Sequence, residues 1–281
     1  MVLLHFKNAD DKQFLYETTV EATVDDTLKD LCTIHNLRML IGRLKIEGEE
    51  LAKHGPCKPL DKQGLDDYAE DLNGYKVEPG PHYAKDPTGR RTGNPAAPQV
   101  VAVLRKTLDE AAAAASKDNA AKKVPLTKQA LDAAIDNVRG AVMICHPEGL
   151  PEWDPVRGML EGSEDLAGTS YAADPIDAEA AALWFCGKQM QAGKKLAEHV
   201  GRNEKSKVVV KVTKKGAGAP SREPVIDQET HKNMLSWYSK KQQEQQALAE
   251  DDDDQYTNSA WANPKALKGH FAGVGGDIRI R

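Results

Sequence analysis

Two cysteine–histidine pairs, Cys32-x2-His35 and His54-x2-Cys57, have the spacing from which a zinc site is built. Zinc takes four tetrahedral nitrogen or sulfur ligands, and pairs two residues apart can supply them. The first pair, however, falls on an apolar stripe. Leu28, Leu31, Cys32 and His35 share one face of a helix, so Cys32 reads as a small core residue and the favoured reading has no metal.

Cys145-His146 invites a nucleophile–base reading. Ala141 to Cys145 reads as a buried strand, on which adjacent side chains point to opposite faces and cannot share a proton. Cys145 is then core and His146 a turn residue. Lys214-Lys215-Gly216-Ala217-Gly218-Ala219-Pro220 is glycine-rich and cationic, but Pro220 removes a donor and no Gly-Lys-Ser/Thr follows. It reads as a strand-ending loop, not a phosphate cradle. Gly89-Arg90-Arg91-Thr92-Gly93 could meet an acidic surface such as tubulin or an acidic partner tail; the favoured reading is a solvated loop. Asp251 to Asp254 is either a docking tag or a solubilising linker. Beyond it stand Trp261 and Phe271, aromatics that a flexible tail exposes at a cost unless something buries them.

No catalytic, cofactor-binding or metal constellation survives this weighing, so binding surfaces are expected to do the work. A net charge of -5 argues against general nucleic-acid binding, which needs a dense cationic face. No run is long enough to span a bilayer, and no secretion, myristoyl or prenyl signal is read. The four cysteines are therefore expected as reduced thiols in the cytoplasm.

The positioning elements read as α+β. Val2 to Phe6 and Gln13 to Val20 form a hairpin around the turn Asn8 to Lys12, and Asp25-Asp26 opens a helix. Ubiquitin-like β-grasp domains begin this way. Leu40, Leu44 and Leu51 suggest a second helix ending at Gly55-Pro56. Residues 1–55 are thus a ubiquitin-like N-terminal region, and 56–98 a loop-rich connection holding at most short pieces such as Leu65 to Leu72.

A central α+β body spans 99–225. Its helices carry Val101, Leu104, Leu108 and the alanines 111–115, then Leu131, Ala134, Ile135 and Val138, with Gly140 as a stop. After a proline-rich turn bearing Trp153, Asp174-Pro175 predicts a helix with Ile176, Ala180, Leu183, Trp184 and Gly187 on its buried face, ending before Gly201. Val208 to Val212 reads as a strand, and Gly216 to Pro224 as a turn. Residues 226–281 are a C-terminal helix, capped by Asp227 and thinning to Met234, Leu235, Tyr238 and Leu248, followed by an extended tail.

Several stretches resemble one family, cilia- and flagella-associated protein 298, also called Kurly. They are Met1-Val2-Leu3-Leu4-His5, Arg139-Gly140-Ala141-Val142-Met143-Ile144, Gly149-Leu150-Pro151, Asp154-Pro155-Val156-Arg157 and Val200-Gly201-Arg202-Asn203-Glu204-Lys205. The likeness continues through Gly216 to Pro224, Asn258-Ser259-Ala260-Trp261-Ala262 and Leu267-Lys268-Gly269-His270-Phe271. Residues 56–85 and the alanine run 111–115 match least.

The resemblance implies a non-enzymatic adaptor for assembly of outer and inner dynein arms in motile cilia. It implies a cytoplasmic pool, some at the basal body, and a presence in the cilium or flagellum and its axoneme. The implied partners are other dynein assembly factors, including a MYND-type zinc-finger protein, chaperones and axonemal dynein subunits. No cofactor, nucleic acid or membrane is implied. The residues read as partner contacts are Trp153, Arg157, Arg222, Trp261 and Phe271, with Arg222 to Arg281 as a docking arm. The alternative is a structural component bound to the axonemal lattice, and behind that an enzyme of unrecognised type.

Overall fold

A computed structural model describes residues 1–9, 11–64, 78–221 and 228–252. The chain divides into two units, Met1–Ser221 and Arg222–Arg281.

In the first unit, β1 (Val2–Lys7) alternates buried Val2, Leu4 and Phe6 with partly exposed residues, the period of a strand with one face on a core. It pairs antiparallel with β2 (Gln13–Thr18), Phe6 opposite Phe14 with rings stacked at 4.7 Å. Its other edge runs parallel to β5 (Lys207–Lys214), whose Val208, Val210 and Val212 are buried. β3 (Ala181–Phe185) and β4 (Lys188–Gln189) complete a five-stranded sheet in the order β2-β1-β5-β3-β4. This mixed order, with parallel central strands and a helix crossing after the first hairpin, is the topology of a β-grasp sheet. The expected α+β class holds, and the grasp is closed by residues 181–214, with a helical insertion between its helix and its third strand.

That helix, α1 (Val24–His54), starts where Thr23 accepts from the Asp26 N–H at 3.1 Å. It is one unbroken helix, not the two read from the sequence. Its first half lies on the sheet, His35 against the Phe6 ring and the Arg38 guanidinium over Phe14. Its second half packs on α2 (Pro98–Ala115) and α4 (Lys128–Cys145), which follows the single turn α3 (Asp118–Ala121). Gly48 permits the close approach: a Cβ there would lie 2.8 Å from Leu108 Cδ1. Arg38 donates to Ala115 O at the C-terminal end of α2, where a cation suits the dipole.

Two further expectations fail. Gly140 does not stop α4, and Ala141 to Cys145 is helix, not strand. Val138, Ala141, Val142 and Cys145 are buried at helical spacing while Met143 and Ile144 face out, so a run that is apolar throughout hid a period of 3.6. Nor does a helix start at Asp174-Pro175. Asn36 exchanges two hydrogen bonds with Ile176, at 2.9 and 3.0 Å, and holds that segment extended against α1. Leu183 and Trp184 then lie on β3, and Cys186 and Gly187, both with positive φ, make the two-residue turn to β4. Gly201 caps only the short α6 (Leu196–Val200). Leu65 to Leu72, Asp227 as a cap and the Leu248 side chain lie outside the described residues.

In the second unit, α7 (Gln228–Asp252) is described.

Candidate functional site

Two of the five expected contact residues, Trp153 and Arg157, lie at the start of α5 (Pro155–Glu161). Asp154 caps it, Oδ1 accepting from Val156 N at 2.9 Å, and Oδ2 accepts from Cys57 N at 3.0 Å. Trp153, on the turn just before, donates its indole N–H to Cys57 O at 3.0 Å and leaves 43% of its surface exposed. Arg157 is spent locally, on Leu150 O and on Glu161 one turn along. Trp153 is therefore a fixed aromatic with one face free, and Arg157 a strut. Arg222, Trp261 and Phe271 lie outside the described residues.

The basic loop is not uniformly solvated. Arg91 is buried, its guanidinium donating to Gly55 O and Glu47 Oε2, both at 2.9 Å, while Arg90 stays at the surface beside Glu47. The physical reason is the carboxylate pair waiting inside, Glu47 and Asp154, which composition does not reveal.

The chemical candidates fall on geometry. His35 and His54 are separated by about 28 Å of helical rise along α1, so the two cysteine–histidine pairs cannot share one ion. Burial pushes the Cys32 and Cys57 thiols up to about 11, and raises Cys145 as well. A reactive cysteine needs the opposite shift. Cys145 and His146 end one helix, and the Cys145 thiol faces Val100 O at 3.6 Å instead of its neighbour. The Lys214 loop follows β5 as expected, with Gly216 and Gly218 at positive φ. Among the described residues, the His, Cys, Asp and Glu side chains whose ligand atoms converge are Glu50, His54 and Asp86.

Clefts among the described residues indent the first unit. One, of about 430 Å³, runs between Asn8, Lys12, His35, Asp174 and Lys214, with the Lys12–Asp174 ion pair at 2.6 Å in its wall. Another, of about 460 Å³, lies beside His54, His82, Pro95 and Arg105.

The surface that sequence reasoning undervalued is on α7. Met234, Trp237, Tyr238 and Lys241 fall at i, i+3, i+4 and i+7, with Leu235 alongside. The four apolar side chains among them are exposed, Trp237 at 55% and Tyr238 at 60%. The two rings meet edge to face at 5.2 Å, and the Lys241 ammonium sits 4.7 Å over the indole. Trp237 was the missing signal: with it, the thinning apolar content becomes an aromatic cluster on one helix face.

Comparison with known proteins gives one consistent neighbourhood. The family model described as "Cilia- and flagella-associated protein 298" matches residues 181–276. A relative of that name from Rattus norvegicus is 43% identical, covering 100% of this chain and 99% of its own length. The Homo sapiens and Drosophila melanogaster relatives are 42% and 36% identical over the same shares. No solved structure matches.

Proposed function

Since the chain belongs to the cilia- and flagella-associated protein 298 family, we propose that it is a non-enzymatic adaptor serving motile cilia, which docks proteins during assembly of axonemal dynein arms. The relatives' shared name supports the ciliary setting. The observation that carries the docking role is the exposed Met234–Leu235–Trp237–Tyr238 face of α7, on a unit separate from the β-grasp unit. Helices with anchors at this spacing bind by laying an apolar face into a partner's groove. Buried aromatics dominate the energy of such contacts. Lys232 and Lys240 flank the face and Lys241 sits over its indole, which suits a groove with an acidic rim. A body and an arm that hold two partners raise their effective concentration for each other, which is what a folding or pairing step requires.

On this reading the partners are chaperones, dynein subunits and other assembly factors, a MYND-type zinc-finger protein among them, and the working pool is cytoplasmic and near the basal body. Fractionation of ciliated cells, with recovery of these partners on the full-length chain and on a chain lacking its last thirty or so residues (a tail length read from composition), tests it. An assembly factor leaves with the soluble fraction and brings dynein chains with it. Stoichiometric retention in salt-washed axonemes would replace the adaptor with a lattice component. Undiminished recovery after truncation would place the contacts on α7 and the body, and remove Trp261 and Phe271 from the arm.

A further inference from the structure

We propose that Glu50, His54 and Asp86 form a site for one divalent transition-metal ion, zinc foremost, that clamps the C-terminal end of α1 to the loop carrying Asp86. Glu50 and His54 are one helical turn apart, so α1 presents them on one face. Asp86 arrives from a different element. Its loop is fixed by the Cys57–Arg91 bridge and by the Arg91 guanidinium on Gly55 O, the residue that ends α1. The three ligand atoms lie within 4.8 Å of one another. A triangle of that size keeps each corner within about 2.8 Å of a common centre, so contraction by about 0.7 Å per ligand reaches zinc bond lengths.

The surroundings of the ligands are those a metal site needs. His54 Nδ1 lies 2.9 Å from Ala84 O. A carbonyl only accepts, so Nδ1 carries the proton and Nε2 keeps the lone pair. An imidazole that ligates through one nitrogen while the other donates to a backbone carbonyl is the usual outer-shell arrangement. Asp86 accepts from Thr88 N, Thr88 Oγ1 and Arg91 N, each at 2.8 Å, which fixes its plane. Glu50 has the exposed Lys53 ammonium at 3.3 Å, a partner easily exchanged for a stronger cation. His54 also lines the cleft of about 460 Å³. One imidazole nitrogen with two carboxylates suits zinc and its first-row neighbours better than magnesium or calcium, which prefer all-oxygen shells.

The test is calorimetric titration of the full-length chain, stripped with chelator, with zinc chloride and separately with magnesium chloride, alongside the visible spectrum with cobalt(II). Expected are one saturable zinc site, an affinity at least tenfold lower in Glu50→Gln and in His54→Gln, and a cobalt spectrum of nitrogen and oxygen ligands. Glu50→Gln alters a surface group and keeps the fold, which its circular dichroism checks. No saturable site, zinc binding unchanged in both variants, thiolate-to-cobalt charge transfer, or magnesium binding as tightly as zinc would each overturn the assignment.

Discussion

Arg91 Nη1 stands 3.5 Å from Asp154 Oδ2, with the two side chains only 2% and 0% exposed. The same guanidinium holds Glu47 Oε2 at 2.9 Å, so one cation serves two carboxylates from two helix regions. Asp154 in turn caps α5 and anchors Cys57. Deleting one member of a buried set leaves charge uncompensated and costs about 3–5 kcal/mol. Arg91→Met is expected to lower the unfolding free energy from urea titration by that order. Arg90→Ala, which removes an exposed pair, should change stability by less than about 0.5 kcal/mol. Equal effects of the two would mean that Arg91 is not the keystone of this junction.

What the sequence made legible follows from periodicity. The hairpin, the helical character of the α1 segment though not its continuity, α2 and the start of α4 were readable because their buried residues recur at 2 or at 3.6. The end of α4 and the 174–187 segment were not. In the first, Ala141 to Cys145 is apolar at every position, so the period vanishes. In the second, a strong local helix signal at Asp174-Pro175 lost to Asn36 and His35, which bind its backbone from a helix distant in sequence. The partners that bury Arg91 are equally distant. Trp153 stands out in the sequence as a lone aromatic in a turn, whereas Trp237 is inconspicuous inside a polar helix.

Acid should weaken this fold through His35. The ring is buried, Nε2 donating to Asp174 O at 3.1 Å, while Nδ1 has no partner. Burial lowers its pKa below 6.5; the Asp174 carbonyl pulls the other way, and Lys12 and Arg38 add to the lowering. His146 is lowered too, chiefly by burial. A folded pKa below the unfolded one means that the unfolded chain takes the proton first. Stability is therefore full above about pH 6.5 and lost as pH falls below it. Urea midpoints across that range should fall for the native chain and fall less for His35→Gln. Identical slopes would assign the effect elsewhere.

The α7 face predicts a separation of binding from stability. Trp237→Ala and Tyr238→Ala remove side chains that are more than half exposed, so thermal unfolding of the full chain should not move measurably. If these rings are anchors, each truncation costs more than about 1.4 kcal/mol, or tenfold in affinity, for a purified assembly-factor partner. Gln243→Ala, on the same exposed helix, should leave affinity unchanged. Equal affinities across all three variants would remove α7 from the interface.

Two glycine-to-alanine changes should move stability in opposite directions, and backbone geometry decides the sign. Gly55 ends α1 at φ 74°, where an L side chain is strained. A Cβ there would also stand 2.1 Å from Asn94 O, a backbone atom that cannot rotate away. Gly55→Ala should therefore cost more than about 3 kcal/mol, the upper end for backbone strain alone. Gly140 lies inside α4 with nothing within 4 Å of a built Cβ. Alanine there reduces the unfolded chain's freedom and raises helix propensity, a gain of about 0.5–1 kcal/mol. Paired thermal melts read both. A destabilised Gly140→Ala would mean that α4 does not run unbroken through Gly140.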